Sequence, residues 1–273
     1  MKRPYRRAFI EITNTCNLAC AFCASSSRPR QEMPPARFER VAAQAGALAE
    51  VVSLHLLGEP LTHSAFPAIL ETCYRLGLRV NLVTNGTLLN DYPPALFAGL
   101  AQLSVSLHAL ACLPPERRAP ALERLAAFAL AKPPGLVVGF RLRAEERDDF
   151  YMLAVKTLTA AFKTTAAPGP DYVRLADGVF LNFGGLFDWP GGEGGRPKSG
   201  CLGLRHHFGV LSDGRVVPCC ADFDGALSLG NTDEKPLAEI LTAPGALSLR
   251  DSIAGKTSMP AFCSSCGFSA PDS

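Results

Sequence analysis

The chain has 273 residues, of which 48% are hydrophobic, enough for one large domain or for a large domain with a small one. Its formal net charge of +2 gives no strong attraction to nucleic acid. No apolar stretch is long enough to span a bilayer, and the first residues lack the apolar region of a secretory signal peptide. We therefore expect a cytoplasmic protein that binds neither nucleic acid nor membrane.

The front part of the sequence alternates between predicted strands and predicted helices. In chain order, the strands are 9–13, 52–57, 78–84, 103–108, 136–142 and 172–181, and the helices are 36–49, 64–76 with Ser64 as N-cap, 93–101, 115–131 and 147–163. This alternation is typical of a mostly parallel sheet with right-handed crossovers. Six strands are too few for an eight-stranded barrel. A partial (β/α)6 barrel fits them better than a doubly wound sheet, although periodicity alone does not distinguish the two.

The pattern changes after about residue 182. Residues 184–195 are rich in Gly and Pro and form either a linker or a loop that covers a substrate. A hairpin around Asp213 and Gly214 and a short helix near 236–242 are predicted beyond them. The predicted divisions are a barrel domain, a connecting loop and a small second domain, at 1–182, 183–200 and 201–273.

The cysteines fall into two groups. Ten cysteines are many for a chain in a reducing compartment, where clustered cysteines usually bind metal or perform redox chemistry. Cys16, Cys20 and Cys23 follow the first predicted strand, at the carboxyl end where α/β sheets build active sites. Three thiolates leave one iron of a [4Fe–4S] cluster open. Zinc is the main alternative, but no further His or Cys lies nearby in the sequence to complete such a site.

Several motifs in order resemble the radical S-adenosylmethionine (SAM) superfamily. Cys-x3-Cys-x2-Cys carries an aromatic residue, Phe22, before its last cysteine. Leu-Gly-Glu-Pro at 57–60 is similar to the family's Gly-Gly-Glu-Pro, with Leu57 in place of the first Gly. Thr-Asn-Gly ends the third strand, and Ser-Val-Ser-Leu at 104–107 forms the fourth. The resemblance covers about residues 8–145.

The resemblance implies both cofactors and roles. Cys16, Cys20 and Cys23 would hold a [4Fe–4S] cluster, and SAM would chelate its fourth iron. Cleavage of SAM would give a 5′-deoxyadenosyl radical that abstracts a hydrogen atom, with electrons from a flavodoxin or a ferredoxin. Glu59 would accept the methionine ammonium group. The other implied SAM contacts are Phe22, Gly58, Pro60, Asn85, Ser104, Ser106 and Arg141.

The C-terminal cysteines resemble the SPASM/Twitch extension of radical SAM enzymes. The spacing matches the shorter Twitch form, whose single auxiliary [4Fe–4S] cluster would be ligated by Cys201, Cys219, Cys263 and Cys266. A structural zinc site is the alternative. Cys220 is then left over as an alternative ligand, an inert neighbour or a hydrogen-atom donor.

The short Twitch architecture resembles enzymes of the 2-deoxy-scyllo-inosamine dehydrogenase type. This implies oxidation of a small polar substrate, such as a sugar-like or cyclitol-like alcohol. That type has an arginine base where this chain has Phe183, so His108, Arg141 and Asp188 are the candidate catalytic residues. Modification of a peptide, by thioether formation, cross-linking or epimerisation, is the alternative, and a non-catalytic zinc-binding module is a third interpretation.

Overall fold

The computed structural model of the protein describes residues 3–164, 171–190 and 201–268. Over these residues it has strands β1 to β10 and helices α1 to α7, together with four short 3-10 helices. The strands are Tyr5–Ile10, Ala49–Leu54, Val80–Thr84, Gln102–Ser106, Val137–Arg143, Tyr172–Ala176, Val179–Gly184, His207–Val210, Arg215–Val217 and Gly230–Asn231. The α-helices are Pro35–Leu48, Phe66–Arg75, Pro115–Leu130, Asp149–Ala161, Leu237–Thr242, Pro244–Ile253 and Ala261–Ser264. The 3-10 helices are Pro60–Thr62, Leu89–Asp91, Pro94–Phe97 and Leu107–Cys112.

The chain folds into two compact units. The first unit consists of Met1–Thr15, Ala24–Arg79 and Phe187–Ser273, and the second of Cys16–Cys23 and Val80–Leu186. The eight residues that carry the first cysteine group, named the cysteine loop below, therefore belong to the second unit. The C-terminal cysteines belong to the first.

The strands of the first unit lie in the order β10-β9-β8-β1-β2. β1 is parallel to both its neighbours, so that Arg7 pairs with Val51 on one side and with His207 on the other. β8 and β9 are antiparallel, as the predicted hairpin requires, and Gly214 in their connection has a φ of +89°. The N-terminal strand is thus paired with a strand from the C-terminal part of the chain.

An apolar cluster is buried in the first unit. It joins residues of β1 and β9 to residues that follow β2 and β8, and Cys220 packs against it. The cluster consists of Phe9, Leu56, Leu211 and Val217.

The strands of the second unit lie in the order β3-β4-β5-β7-β6. β3, β4, β5 and β7 are parallel, and β6 is antiparallel to β7. Alternate residues of β4 and β5 are fully buried and apolar, among them Leu103, Val105, Val138 and Phe140. Because successive side chains of a strand point to opposite faces, the intervening positions form a second, polar face.

Three sequence-based predictions differ from the structure. The predicted strand 172–181 is two strands, because Gly178 adopts a left-handed φ of +64° and turns β6 back along β7. The predicted helix 93–101 is reduced to the 3-10 turn at Pro94–Phe97. Ser64 does not cap α2, since its amide and hydroxyl bond the Glu32 carboxylate and the helix begins at Phe66.

The predicted fold class, α/β with a mostly parallel sheet, is confirmed. In the part of the chain that the structure describes, no helix combines the length and the apolar character needed to cross a membrane.

Candidate functional site

The cysteine loop is held by backbone hydrogen bonds, one of which reaches a thiol. All ten cysteines lie among the described residues, and none forms a disulfide. The Leu18 amide donates to Cys16 Sγ at 3.4 Å, and the Cys23 amide donates to the Cys20 carbonyl oxygen at 3.0 Å. These bonds fold the loop into tight turns.

A fourth thiol lies beside the loop. Cys112 ends the 3-10 helix Leu107–Cys112, and its thiol is near enough to Cys20 to act on the pKa of that residue. Burial raises the pKa of Cys20 far above its usual range, and the thiols of Cys112, Cys23 and Cys16 raise it further. The cause of the second effect is repulsion between thiolate charges, which bound iron would offset.

His108 joins the same 3-10 helix to the loop. Its imidazole lies 4.9 Å from the Phe22 ring, measured between centroids, and its Nδ1 lies 3.2 Å from the Arg141 carbonyl oxygen. A carbonyl only accepts, so Nδ1 carries the proton and the neutral ring keeps Nε2 as an acceptor. Burial lowers the pKa of His108 to about 4, and the charges of Arg141 and Arg143 act in the same direction.

Asn85, from the Thr-Asn-Gly motif after β3, is bonded to the cysteine loop. Its Nδ2 donates to Asn17 Oδ1 at 2.9 Å and to Cys16 Sγ at 3.8 Å. The next residue, Gly86, has a φ of +80°, and a Cβ atom there would lie 2.8 Å from the Val105 side chain. The motif therefore positions the loop, a role that its resemblance to a SAM contact does not predict.

A polar row crosses β4 and β5 on the face opposite the apolar one. Ser104 Oγ accepts from Gln102 Nε2 and donates to Asn81 Oδ1, both at 3.2 Å. Arg141 Nη2 donates to Ser106 Oγ at 3.1 Å. Three of the predicted SAM contacts therefore line one face of the second unit.

The Gly-Glu-Pro segment in the first unit packs against the chain that leads into the loop. Gly58 has a φ of +77°, and a Cβ atom there would lie 2.8 Å from the Thr15 carbonyl oxygen and nearer still to that of Thr13. The Glu59 amide donates to the Thr15 carbonyl oxygen at 2.8 Å. Glu59 is buried, and its Oε1 accepts from the Leu61 amide at 3.1 Å, which caps the turn that begins at Pro60.

A buried ion pair in the first unit was not foreseen from the sequence. Arg28 Nη2 donates to both carboxylate oxygens of Glu11 at 2.8 and 2.6 Å, and Glu11 also accepts from the amide and the hydroxyl of Ser212. The Arg28 side chain is 6% exposed. Glu11 is separated along the chain by 17 residues from Arg28 and by 201 residues from Ser212, so no local pattern signals the network.

The C-terminal cysteines repeat the amide pattern of the loop. Gly203 donates its amide to Cys201 Sγ at 3.4 Å, and the Asp222 amide donates to the Cys219 carbonyl oxygen at 3.4 Å. Burial raises the pKa of Cys219, and the neighbouring thiols of Cys220 and Cys201 raise it further.

The remaining predicted ligands lie in a short turn. The Cys266 amide donates to the Cys263 carbonyl oxygen at 3.3 Å. The following residue, Gly267, donates its amide to the Asp188 carbonyl oxygen at 2.8 Å. Asp188 itself is exposed, and its neighbour Trp189 packs edge-on against Phe223 at 5.4 Å. This part of the predicted connecting loop is therefore anchored on the C-terminal cysteine segment.

The residues at both cysteine groups fit an iron–sulfur cluster. Each group combines crowded thiols, whose charges repel, with an amide donor aimed at sulfur, and both features favour bound iron over bare thiolates. Among the described residues, no three His, Cys, Asp or Glu side chains are grouped so as to hold a single metal ion.

Fold and thiols together define an α/β protein with two cysteine-rich segments that fit iron–sulfur clusters. Residues 10–132 match the radical SAM superfamily, and residues 201–267 match SPASM, an iron–sulfur cluster-binding domain. The chain therefore contains a radical SAM domain and a C-terminal SPASM domain. The first domain binds a [4Fe–4S] cluster and SAM, and the second binds an iron–sulfur cluster.

The chain is similar to proteins with different substrates. It is 26% identical to a PqqA peptide cyclase of Rhizobium meliloti over 302 aligned residues, which cover 96% of this chain and 80% of that protein. The matches to the first curated relatives cover only 21–38% of those proteins' own length.

Two solved structures share the fold. BtrN in complex with AdoMet and 2-DOIA has a TM-score of 0.60 and 18% identity, over 98% of this chain and 95% of that one. SuiB of Streptococcus suis, bound to the precursor peptide SuiA, has a TM-score of 0.62 and 17% identity, over 97% of this chain and 70% of that one.

Proposed function

We propose that this radical SAM enzyme abstracts hydrogen from a small polar substrate, such as a sugar-like or cyclitol-like alcohol. When bound, the clusters and SAM supply the one-electron chemistry: reductive cleavage of SAM, hydrogen-atom abstraction, and removal of the remaining electron. The observation that carries the proposal is the cysteine loop packed against a neutral histidine in the unit that also holds the polar row.

Cys16, Cys20 and Cys23 are the proposed ligands of the first cluster. Cys201, Cys219, Cys263 and Cys266 are the proposed ligands of the second. The amide donors at Cys16 and Cys201 support both assignments, because hydrogen bonds to sulfur stabilise the charged form of a thiolate.

His108 is the proposed proton acceptor. Its pKa of about 4 keeps the ring neutral at pH 7, with Nε2 able to take the proton of a substrate hydroxyl as the carbon is oxidised. Packing against Phe22 fixes the ring and excludes water from one side of it. Asp188 is exposed and belongs to the turn against Gly267, so we assign the proton to His108 instead.

The polar row is the proposed binding surface for polar groups. Arg141 and Arg143 carry positive charge on the same face of β5, and Arg141 is tied to Ser106. Guanidinium groups bind carboxylates and hydroxyls with fixed geometry, which suits the SAM carboxylate or an oxygen-rich substrate. Glu59 is the proposed acceptor for the SAM ammonium. Phe22, Gly58, Pro60, Asn85, Ser104 and Ser106 complete the proposed SAM site.

The test measures whether a hydrogen atom of the substrate is transferred to 5′-deoxyadenosine. The reconstituted enzyme is given SAM, a reductant and either a carbon-deuterated aminocyclitol or a deuterated peptide, and deuterium is measured in 5′-deoxyadenosine. Transfer from the cyclitol supports the proposal, and transfer from the peptide alone contradicts it. The Cys16→Ala/Cys20→Ala/Cys23→Ala variant must form no 5′-deoxyadenosine, whereas Cys73→Ala, at a buried thiol of α2, must behave as wild type.

Peptide modification is the second candidate function. It is favoured by the similarity to the PqqA peptide cyclase, because that alignment covers nearly all of this chain. A peptide substrate would lie along the polar row in an extended form, and deuterium transfer from the peptide in the same experiment would select this candidate.

The remaining proposals concern the electron donor, the location of the protein and the divisions of the chain. A flavodoxin or a ferredoxin is the proposed electron donor. Ten cysteines without a disulfide suit the reducing cytoplasm. We keep the proposed divisions at 1–182, 183–200 and 201–273, of which residues 191–200 lie outside the described part of the chain.

A further inference from the structure

A cavity of about 530 Å³ lies in the second unit, beside the cysteine loop. One wall is the loop itself, at Asn17 and Leu18, and another is the chain after β3, at Thr87 and Asn90. The third wall is one face of helix α3, so the whole lining belongs to the second unit. The cavity is as large as the pockets that hold small molecules in other proteins, and no step of the proposed reaction uses it.

The loop wall of the cavity leads to a proposed cluster ligand. The Leu18 amide donates to Cys16 Sγ at 3.4 Å. Asn17 is held in place by two side-chain hydrogen bonds, from Asn85 Nδ2 at 2.9 Å and to Thr87 Oγ1 at 2.8 Å. A molecule in the cavity would therefore contact a residue that is bonded to a ligand sulfur.

The wall from α3 carries positive charge at either end of an apolar strip. Arg117 and Arg124 lie two helical turns apart on one face of the helix, about 10 Å along its axis, with a proline and an alanine between them. Both arginines are exposed, and neither makes an ion pair or a hydrogen bond with another described residue. Glu116 also lines the cavity, so the two guanidinium groups leave an excess of positive charge.

We propose that an acidic flavodoxin docks at this cavity, with Arg117 and Arg124 as its charged contacts, and delivers an electron to the first cluster from there. The inference rests on the proposed ligands of that cluster and on the proposed electron donor. The anionic flavin hydroquinone loses one electron and becomes the neutral semiquinone. The oxidised [4Fe–4S] cluster gains that electron, and no proton passes between the two proteins.

Charge and shape both favour a flavodoxin as the occupant. An acidic surface is complementary to the two arginines, and such complementarity speeds docking and fixes its orientation. The apolar strip between the arginines suits the edge of a flavin ring, which a ferredoxin does not present. Electron transfer slows steeply with distance, so a flavin at the wall next to Cys16 is well placed for transfer.

The first readout is binding, which does not depend on catalysis. Calorimetry measures the Kd between an oxidised bacterial flavodoxin and the full-length reconstituted enzyme. Arg117→Glu/Arg124→Glu should raise the Kd about tenfold or more, because reversed charges slow the steered encounter. Lys156→Glu/Arg250→Glu makes the same change of net charge at exposed residues of α4 and α6 and should raise it much less. Equal Kd values in wild type and Arg117→Glu/Arg124→Glu, or an equal rise in both variants, overturn the proposal.

The second readout is the rate of 5′-deoxyadenosine formation with two reductants, flavodoxin hydroquinone and reduced methyl viologen. Methyl viologen is a small cation that needs no docking surface. With flavodoxin, Arg117→Glu/Arg124→Glu should be about tenfold slower than wild type or more, and with methyl viologen it should be no slower. Asn90→Trp, at an exposed position, narrows the cavity without changing its charge and should also slow only the flavodoxin reaction. An unchanged flavodoxin rate in both variants contradicts the proposal.

Methyl viologen also separates this inference from the proposed function. If wild type forms no 5′-deoxyadenosine with it, the proposed SAM chemistry fails, and the binding readout still tests the docking surface. If methyl viologen supports the reaction but flavodoxin neither binds nor reduces the enzyme, only the docking proposal is refuted. Reduction by a ferredoxin at a rate independent of the two arginines, with flavodoxin inactive, refutes it as well.

Discussion

At the scale of single residues, two predicted ligands share one backbone arrangement. The sulfurs of Cys16 and Cys201 each accept a hydrogen bond from the amide two residues further along the chain. An amide aimed at sulfur favours the thiolate over the thiol. Cysteine spacing predicts which residues act together, but this turn geometry depends on backbone angles that spacing does not encode.

Glu59 provides a test of SAM binding at this scale. Glu59→Gln keeps an oxygen to accept from the Leu61 amide but removes the negative charge that would face the SAM ammonium. Loss of a charge-assisted hydrogen bond costs about 1.5–3 kcal/mol, so the Kd for SAM should rise roughly 10- to 100-fold. Equilibrium dialysis of the reconstituted enzyme measures the Kd, and iron content should stay at the wild-type value.

The matched control is Glu39→Gln, at an exposed carboxylate that pairs with Arg75 on the surface. It should leave the Kd for SAM unchanged. Equal affinity in Glu59→Gln and wild type would remove the proposed role of Glu59.

His207 gives a pH dependence of stability. Burial, chiefly, lowers the pKa of His207 to about 4, from an ordinary value of 6.5. Between these values the unfolded chain binds a proton that the folded chain does not, so the free energy of unfolding falls as the pH is lowered from 6.5 towards 4. The loss is about 2 kcal/mol at pH 5.

Urea unfolding at pH 7 and pH 5, at constant cluster content, measures this loss. In His207→Gln the difference between the two pH values should shrink by about 2 kcal/mol. His206→Gln should shrink the difference much less, because burial is the chief cause of the shift and the charge of His206 only adds to it. An unchanged difference in His207→Gln would show that other groups cause the acid sensitivity.

At the scale of secondary structure elements, the alternation of strands and helices was predicted well, because apolar strands separated by helical segments are a strong pattern. The first five strands occur within a few residues of their predicted positions. The sixth prediction was wrong, because the apolar run 172–181 continues through the turn at Gly178. Helix α6, Pro244–Ile253, was missed, since its apolar residues are few and irregularly spaced.

Some residues of the candidate site were predicted from the sequence, and others were found only in the structure. Residues within one motif, such as Cys16, Cys20 and Cys23, can be recognised from their spacing. The proximity of Cys112 to Cys20, and the ion pair of Arg28 with Glu11, depend on tertiary packing. Such pairs carry no local signal in a single sequence.

The Gly-Glu-Pro turn gives a prediction about a whole element. In Gly58→Ala, the added Cβ would collide with the carbonyl oxygens of Thr13 and Thr15 and would hold a left-handed φ. A strained backbone of this kind costs about 1–3 kcal/mol. We expect a lower urea midpoint and less iron in the cysteine loop, measured by iron and sulfide analysis.

Gly245→Ala is the matched control for this change. Gly245 lies in α6, and a Cβ atom there would meet no other part of the described chain within 4 Å, so alanine should be neutral or slightly stabilising. If both variants match the wild type in midpoint and iron content, the close approach at Gly58 does not hold the loop.

At the scale of the whole molecule, the two cysteine groups belong to different compact units. Loading of one site should therefore leave the other intact. The enzyme should bind about eight irons, and Cys219→Ala/Cys266→Ala should retain about four. That variant should still cleave SAM under strong reductant but should form less oxidised product. Loss of all iron would show that the two sites fold as one.

The pairing of β1 with β8 has a consequence for synthesis of the chain. Arg7 pairs with His207 in the sheet, and the ribosome adds His207 200 residues after Arg7. At about 5–20 residues per second, a ribosome needs roughly 10–40 s to supply the second after the first. Until then, the backbone N–H and C=O groups on one edge of β1 can pair with strands of other chains. Contacts of such long sequence separation also form slowly. Nascent-chain complexes arrested before residue 207 should therefore be rich in chaperone, and those arrested well after residue 217 should release it.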